Sequence, residues 1–187
     1  MSEVPLAGGY VSGAVRVGET VREFHDLTVG SPLLSGADGR EGADTIDCAE
    51  VVCHNDLSPK NTVYRRVGGH HEPVAFIDWD IAAPGRRIHD VAHMCWQYVG
   101  LGPDVADTAA AARRVRPMAD AYGLADRSEL VDTIAWWQDR CWRGIEAEAR
   151  AGAPYAVALR RAGAVREVRD AYDWVEANRS RLDSTLR

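Results

Sequence analysis

Between Glu50 and Ala92 the chain carries three polar blocks, Cys53-His-Asn-Asp-Leu-Ser-Pro-Lys-Asn61, Ala75-Phe-Ile-Asp-Trp-Asp80 and Ile88-His-Asp-Val-Ala92, and the spacing between them sets the architecture. Residues 50–52 read as a short strand and 53–61 as a loop, followed by a strand over 62–66. Gly68-Gly69 is a turn, and 73–78 is an apolar strand that ends in acid. A hairpin of this kind sets Asn61 and Asp78 side by side, so polar chemistry gathers at strand ends.

On the C-terminal side the pattern turns helical, with helices expected over 87–99, 104–122, 128–151 and 154 to about 182, closed by Gly123 and Gly152 where they stop. Asp104 and Ser128 are candidate N-caps, and Pro117 is expected to kink or split its helix. On the N-terminal side, Tyr10-Val-Ser-Gly-Ala-Val-Arg-Val17 reads as a strand, Gly18-Glu19 as a turn and Thr20-Val-Arg22 as a returning strand. One or two helical turns follow to Val29, and the Gly-, Ser- and Asp-rich residues 30–48 read as a loop. The expected divisions are 1–29, 30–49 and 50–187, in an α+β chain without internal repeats.

A chain of 187 residues with 46% hydrophobic content can bury one substantial core. Its net charge of -6 opposes nucleic acid or an anionic membrane surface as a partner. Of 22 basic residues only Lys60 is a lysine, which reflects base composition and carries no functional reading. Cys48, Cys53, Cys95 and Cys141 make no C-x-x-C pair and no zinc spacing, as expected of reduced thiols in a cytoplasmic protein. Neither a secretory leader nor a stretch of about 20 apolar residues is visible, so no membrane partner is expected.

His54, Asp56 and Asn61 fit H-x-D-x-x-x-x-N, the catalytic-loop pattern in which a carboxylate faces the acceptor hydroxyl while an amide oxygen five residues on turns toward metal and phosphates. Asp78, at the end of an apolar strand, stands where kinases place a second metal-binding acid. With I-D-W-D and x-D-x-A following in order, the chain resembles the aminoglycoside phosphotransferase and choline kinase superfamily. The resemblance implies a protein-kinase-like C-terminal lobe, mostly helical with short hairpins around the catalytic loop, plus a remnant N-terminal β-hairpin. It further implies Asp56 as catalytic base and Asn61 and Asp78 as ligands of Mg2+. His54, Asp80 and Asp90 fall to structural support, Asp90 through hydrogen bonds to the loop backbone. Asn55 replaces a glycine common in the family, which Asn tolerates because it reaches left-handed conformations.

The same resemblance assigns Ser12, Gly13, Arg22 and Lys60 to the phosphates of ATP or GTP. Most of the nucleotide-binding lobe is missing, because Phe24-His-Asp-Leu-Thr-Val29 resembles the end of the helix that precedes the catalytic loop. Each residue also has a plain structural reading: Asp56 as a turn former, Lys60 and Arg22 as solvated charges, and Asp78 or Asp80 as strand-end caps.

Two functions are open at this point. One is Mg2+-dependent transfer of a nucleotide γ-phosphate to a small-molecule hydroxyl, with Trp96, Trp136, Trp137, Trp142, Asp132, Asp139 and Glu146 holding a cationic acceptor such as an aminoglycoside or choline; tryptophans at helical spacing are more often core. The other is a catalytically inactive remnant acting as a binding or immunity-type module. The missing lobe also predicts exposed apolar surface and self-association.

Overall fold

The computed structural model describes residues 10–31, 34 and 49–186. Helix α1 (Tyr10–Thr28) leads to strand β1 (Val51–Cys53), a 3-10 turn (Pro59–Asn61), β2 (Thr62–Val67), β3 (His70–Phe76) and β4 (Ala83–Gly85). Helices α2 (Arg87–Val99), α3 (Thr108–Tyr122), α4 (Leu130–Arg150), α5 (Pro154–Ala162) and α6 (Ala164–Leu186) complete the fold. The strands form two antiparallel pairs, β1 with β4 and β2 with β3, the second a hairpin turned at Gly68 and Gly69 in the left-handed region.

The largest correction concerns the N-terminus. Residues 10–28 form one continuous helix, so the expected β-hairpin is absent. Val17, Val21 and His25, one helical turn apart, are all buried, and the two valines belong to the same core as Met118, Val115 and Leu182. Gly18, read from sequence as a turn, is instead a contact point. A Cβ there would lie 2.7 Å from the Met118 carbonyl oxygen, so its lack of a side chain lets α1 approach α3 closely. The tertiary gain from this packing outweighs the β preference of the valines.

Smaller differences have similar causes. Asp107, not Asp104, caps α3 by accepting from the Ala110 N–H at 3.0 Å, and Glu129 rather than Ser128 precedes α4. Helix α3 runs through Pro117 without ending. The final helical stretch breaks at Gly163, whose φ of 94° closes α5 before α6 begins. Cys53 and Cys95 are buried free thiols, and Cys141 is half-buried and free; Cys48 lies outside the described residues. Among the described residues no helix is long and apolar enough to cross a membrane.

Candidate active site

Strand β1 delivers the chain into the loop at Cys53, and Asp90, in the first turn of α2, holds that loop in place. Its Oδ2 accepts from the His54 N–H at 2.7 Å and its Oδ1 from the Asn55 N–H at 2.8 Å. His25 of α1 adds a third bond, its Nε2 standing 3.0 Å from Oδ2. Burial alone would raise the Asp90 pKa, but the His25 bond and charge and the two backbone N–H groups overcome it and hold the carboxyl below its usual range. Behind it, His25 Nδ1 is hydrogen-bonded to the Tyr122 hydroxyl at 2.7 Å, Arg87 donates to that hydroxyl at 3.2 Å, and Arg87 pairs with Asp26 at 2.8 Å. Asp90 is thus the hub of a buried network joining α1, α2, α3 and the loop.

His54 is fully buried and bonded at both ring nitrogens. Nε2–H donates to the Ile77 carbonyl at 3.0 Å, and Nδ1 accepts from the Asp56 N–H at 3.2 Å. Both nitrogens are occupied, so the ring has no free position from which to act as a base. Trp79 packs over it, ring centroids 4.2 Å apart, and reaches Phe24 of α1 at 4.7 Å.

The hairpin brings the second block to the first. Ile77 N–H donates to the Asn61 carbonyl at 3.0 Å, which places the start of the Asp78-Trp79-Asp80 segment beside the end of the loop. The Asn61 amide group donates to the Asp56 carbonyl at 3.0 Å and to Asp56 Oδ2 at 2.8 Å. Both amide hydrogens are thereby used, which orients the ring of contacts and leaves the amide oxygen as the free acceptor. Asn55 and Asp78 are the two non-glycine residues at positive φ among those described, at 66° and 67°. Held left-handed backbone of this kind concentrates where a site must be shaped. Asp78 and Asp80 are exposed.

Asp56 is part-buried, with Lys60 Nζ 3.7 Å from Oδ2 and His93 Nε2 4.0 Å from Oδ1. His93, a buried residue of α2 that sequence reading passed over, donates from Nδ1 to the Leu57 carbonyl at 3.0 Å. The i+3 step from Asp90 on a helix already known to face the loop was the signal that could have found it. From Asp56, Lys60 and His93 a cleft of about 1480 Å³ extends along α4 to α5 and α6.

Other expected residues are elsewhere. Arg22 lies on the exposed side of α1 next to Gly123, and Ser12 and Gly13 are in the same helix, so the hairpin that was to cradle phosphates with these three does not form. Of the expected acceptor residues, Trp96 and Trp137 line the cleft. Asp139 pairs with Arg143, Glu146 with Arg150 and Arg160, and Asp132 with Arg179, so these acids are already neutralised.

Residues 37–130, half of the chain, match the family described as the phosphotransferase enzyme family. The chain belongs to that family. It is also 30% identical over 132 residues to the trifolitoxin immunity protein of Rhizobium leguminosarum bv. trifolii, a match covering 63% of this chain and 48% of that protein. This phosphotransferase-family chain therefore spans about half the length of the curated relative it matches.

Proposed function

We propose that this phosphotransferase-family chain carries a site for moving the γ-phosphate of ATP or GTP to a hydroxyl of a small-molecule acceptor, with Asp56 as the base. The observation that carries this reading is the division of labour within Asp56, a residue of the cleft lining: Asn61 donates to Oδ2, while Oδ1 stands 4.0 Å from His93 Nε2, too far for a hydrogen bond between the two. Asp56 Oδ1 takes the hydroxyl proton as the acceptor oxygen bonds to phosphorus and the nucleoside diphosphate leaves.

The donor set fits Mg2+. The Asn61 amide oxygen and the exposed Asp78 carboxylate are hard oxygen ligands, and two such groups with phosphates and water suffice for that ion. When bound, Mg2+ neutralises charge on the phosphates. Lys60, 73% exposed and able to swing away from Asp56, supplies a cation at the same mouth. The remaining residues position the base: His54 ties the Asp56 backbone to Ile77, the residue before Asp78, and Asp90 fixes the loop entry. The test is phosphoryl transfer followed by 31P NMR on wild type and Asp56→Asn; transfer unchanged in the variant refutes the base assignment.

The second reading, a non-catalytic immunity-type module, draws its support from the name of the relative and from the absence of a phosphate-covering hairpin among the described residues. Protection of a toxin-sensitive host by the Asp56→Asn variant as well as by wild type would favour it.

A further inference from the structure

Hydrogen bonding accounts for His25 and Asp90 in the buried network, but not for the thiol beside them. A ring nitrogen of His25, the sulfur of Cys53 and a carboxylate oxygen of Asp90 lie within 4.8 Å of one another, and all three residues are buried. Among the described residues no other trio of His, Cys, Asp or Glu side chains comes together in this way. His25 Nε2 and Asp90 Oδ2 are 3.0 Å apart, close to the roughly 3.3 Å between nitrogen and oxygen ligands of a tetrahedral zinc ion with bonds of about 2.0 Å. From an outer limit of 4.8 Å the sulfur has to move by about 1 Å to complete the set. Gly85 leaves room beside it, since a Cβ there would stand 2.9 Å from Sγ. The Arg86 carbonyl, 3.3 Å from Sγ, is an oxygen within reach of a fourth position.

The donors suit zinc. Thiolate, imidazole and carboxylate are its usual ligands, and the sulfur disfavours Mg2+. A thiolate and a carboxylate buried together carry two negative charges, which one dication balances. The groups behind the ligands also fit: the sulfur accepts from the Asp90 N–H, and His25 Nδ1 meets the Tyr122 hydroxyl at 2.7 Å, itself held by Arg87. We propose that His25, Cys53 and Asp90 form a structural zinc site that clamps α1, β1 and α2 together at the entry to the loop. On binding, Cys53 releases its thiol proton to solvent. His25 keeps one proton, on Nδ1, and donates it to the Tyr122 hydroxyl, while Asp90 retains the His54 and Asn55 N–H groups. The clamp uses neither nucleotide nor Asp56, so it stands or falls apart from the phosphotransferase reading.

The test uses the full chain, stripped of metal by a chelator under reducing conditions and titrated with Co2+ and then Zn2+. The expected result is one equivalent of Co2+ giving ligand-field bands in the visible and a thiolate charge-transfer band in the near ultraviolet, both bleached by Zn2+. The bands should vanish in Cys53→Ser and persist in Cys48→Ser with Cys141→Ser, and Zn2+ should raise the melting temperature of wild type but not of Cys53→Ser. X-ray absorption of the zinc-loaded wild type, which needs no variant to fold, should show one sulfur at about 2.3 Å among nitrogen and oxygen at about 2.0 Å. No cobalt spectrum, a zinc shell without sulfur, or bands that survive Cys53→Ser would each overturn the site.

Discussion

His25 Nε2 and Asp90 Oδ2 meet at 3.0 Å across 65 residues of sequence, both fully buried. Asp90→Ala leaves an imidazole and two backbone N–H groups without their acceptor, so the expected loss is about 3–5 kcal/mol of stability, read by denaturant unfolding. A loss under 1 kcal/mol would show that the network does not hold the loop.

The same carboxyl sets an acid limit. Its folded pKa is depressed, so its contribution is fully present above the unfolded value of about 3.9 and is lost as pH falls through the lower folded value. Unfolding followed from pH 6 down to pH 2 should show stability falling in that lower window for wild type. Asp90→Asn, already destabilised, should show a shallower fall; parallel curves would remove Asp90 as the source.

Gly18→Val tests the crossing of α1 on α3. The new Cβ would stand 2.7 Å from the Met118 carbonyl, so overpacking should cost about 1–3 kcal/mol and lower the melting temperature. A neutral result would mean that α1 does not seat there.

At Asn55, φ of 66° separates backbone from side-chain effects. Asn55→Gly should cost about 1 kcal/mol or less, through the lost bond from Nδ2 to the Ile81 carbonyl at 2.9 Å. Asn55→Val adds left-handed strain of about 1–2 kcal/mol. Equal unfolding midpoints for the two variants would contradict this.

Val63, Val74, Ile77 and Ile81 are at least 40% exposed on and after the β2–β3 hairpin. Apolar surface of this kind is expected to drive self-association, seen by light scattering as mass above the monomer and reduced by Ile77→Ser with Ile81→Ser. A monomer at high concentration with no binding of a hydrophobic dye would contradict it.

The site was legible where chemistry imposes spacing. His54, Asp56, Asn61 and Asp90 are joined by direct bonds because a loop of that length must return on itself, and the hairpin carrying Asp78 follows from Gly68-Gly69 and the apolar run from Pro73 to Ile77. The N-terminus was not legible in the same way. Four valines and two glycines spell a hairpin locally, whereas the buried positions 17, 21 and 25 repeat every four residues and the meaning of Gly18 depends on Met118, a hundred residues on. His25 and His93 escaped because each acts through a partner distant in sequence, and a lone histidine on a helix carries no motif. The acids Asp132, Asp139 and Glu146 looked like a cation site until their arginines were in view, two of them supplied by other helices.

The most direct measurement is calorimetric titration of the full chain with nucleotide, with and without magnesium, on wild type and Asp78→Ala. Magnesium-dependent binding heat that disappears in Asp78→Ala is the predicted result. Binding that persists unchanged in the variant, or no binding by either protein, would contradict a metal-phosphate site between Asn61 and Asp78.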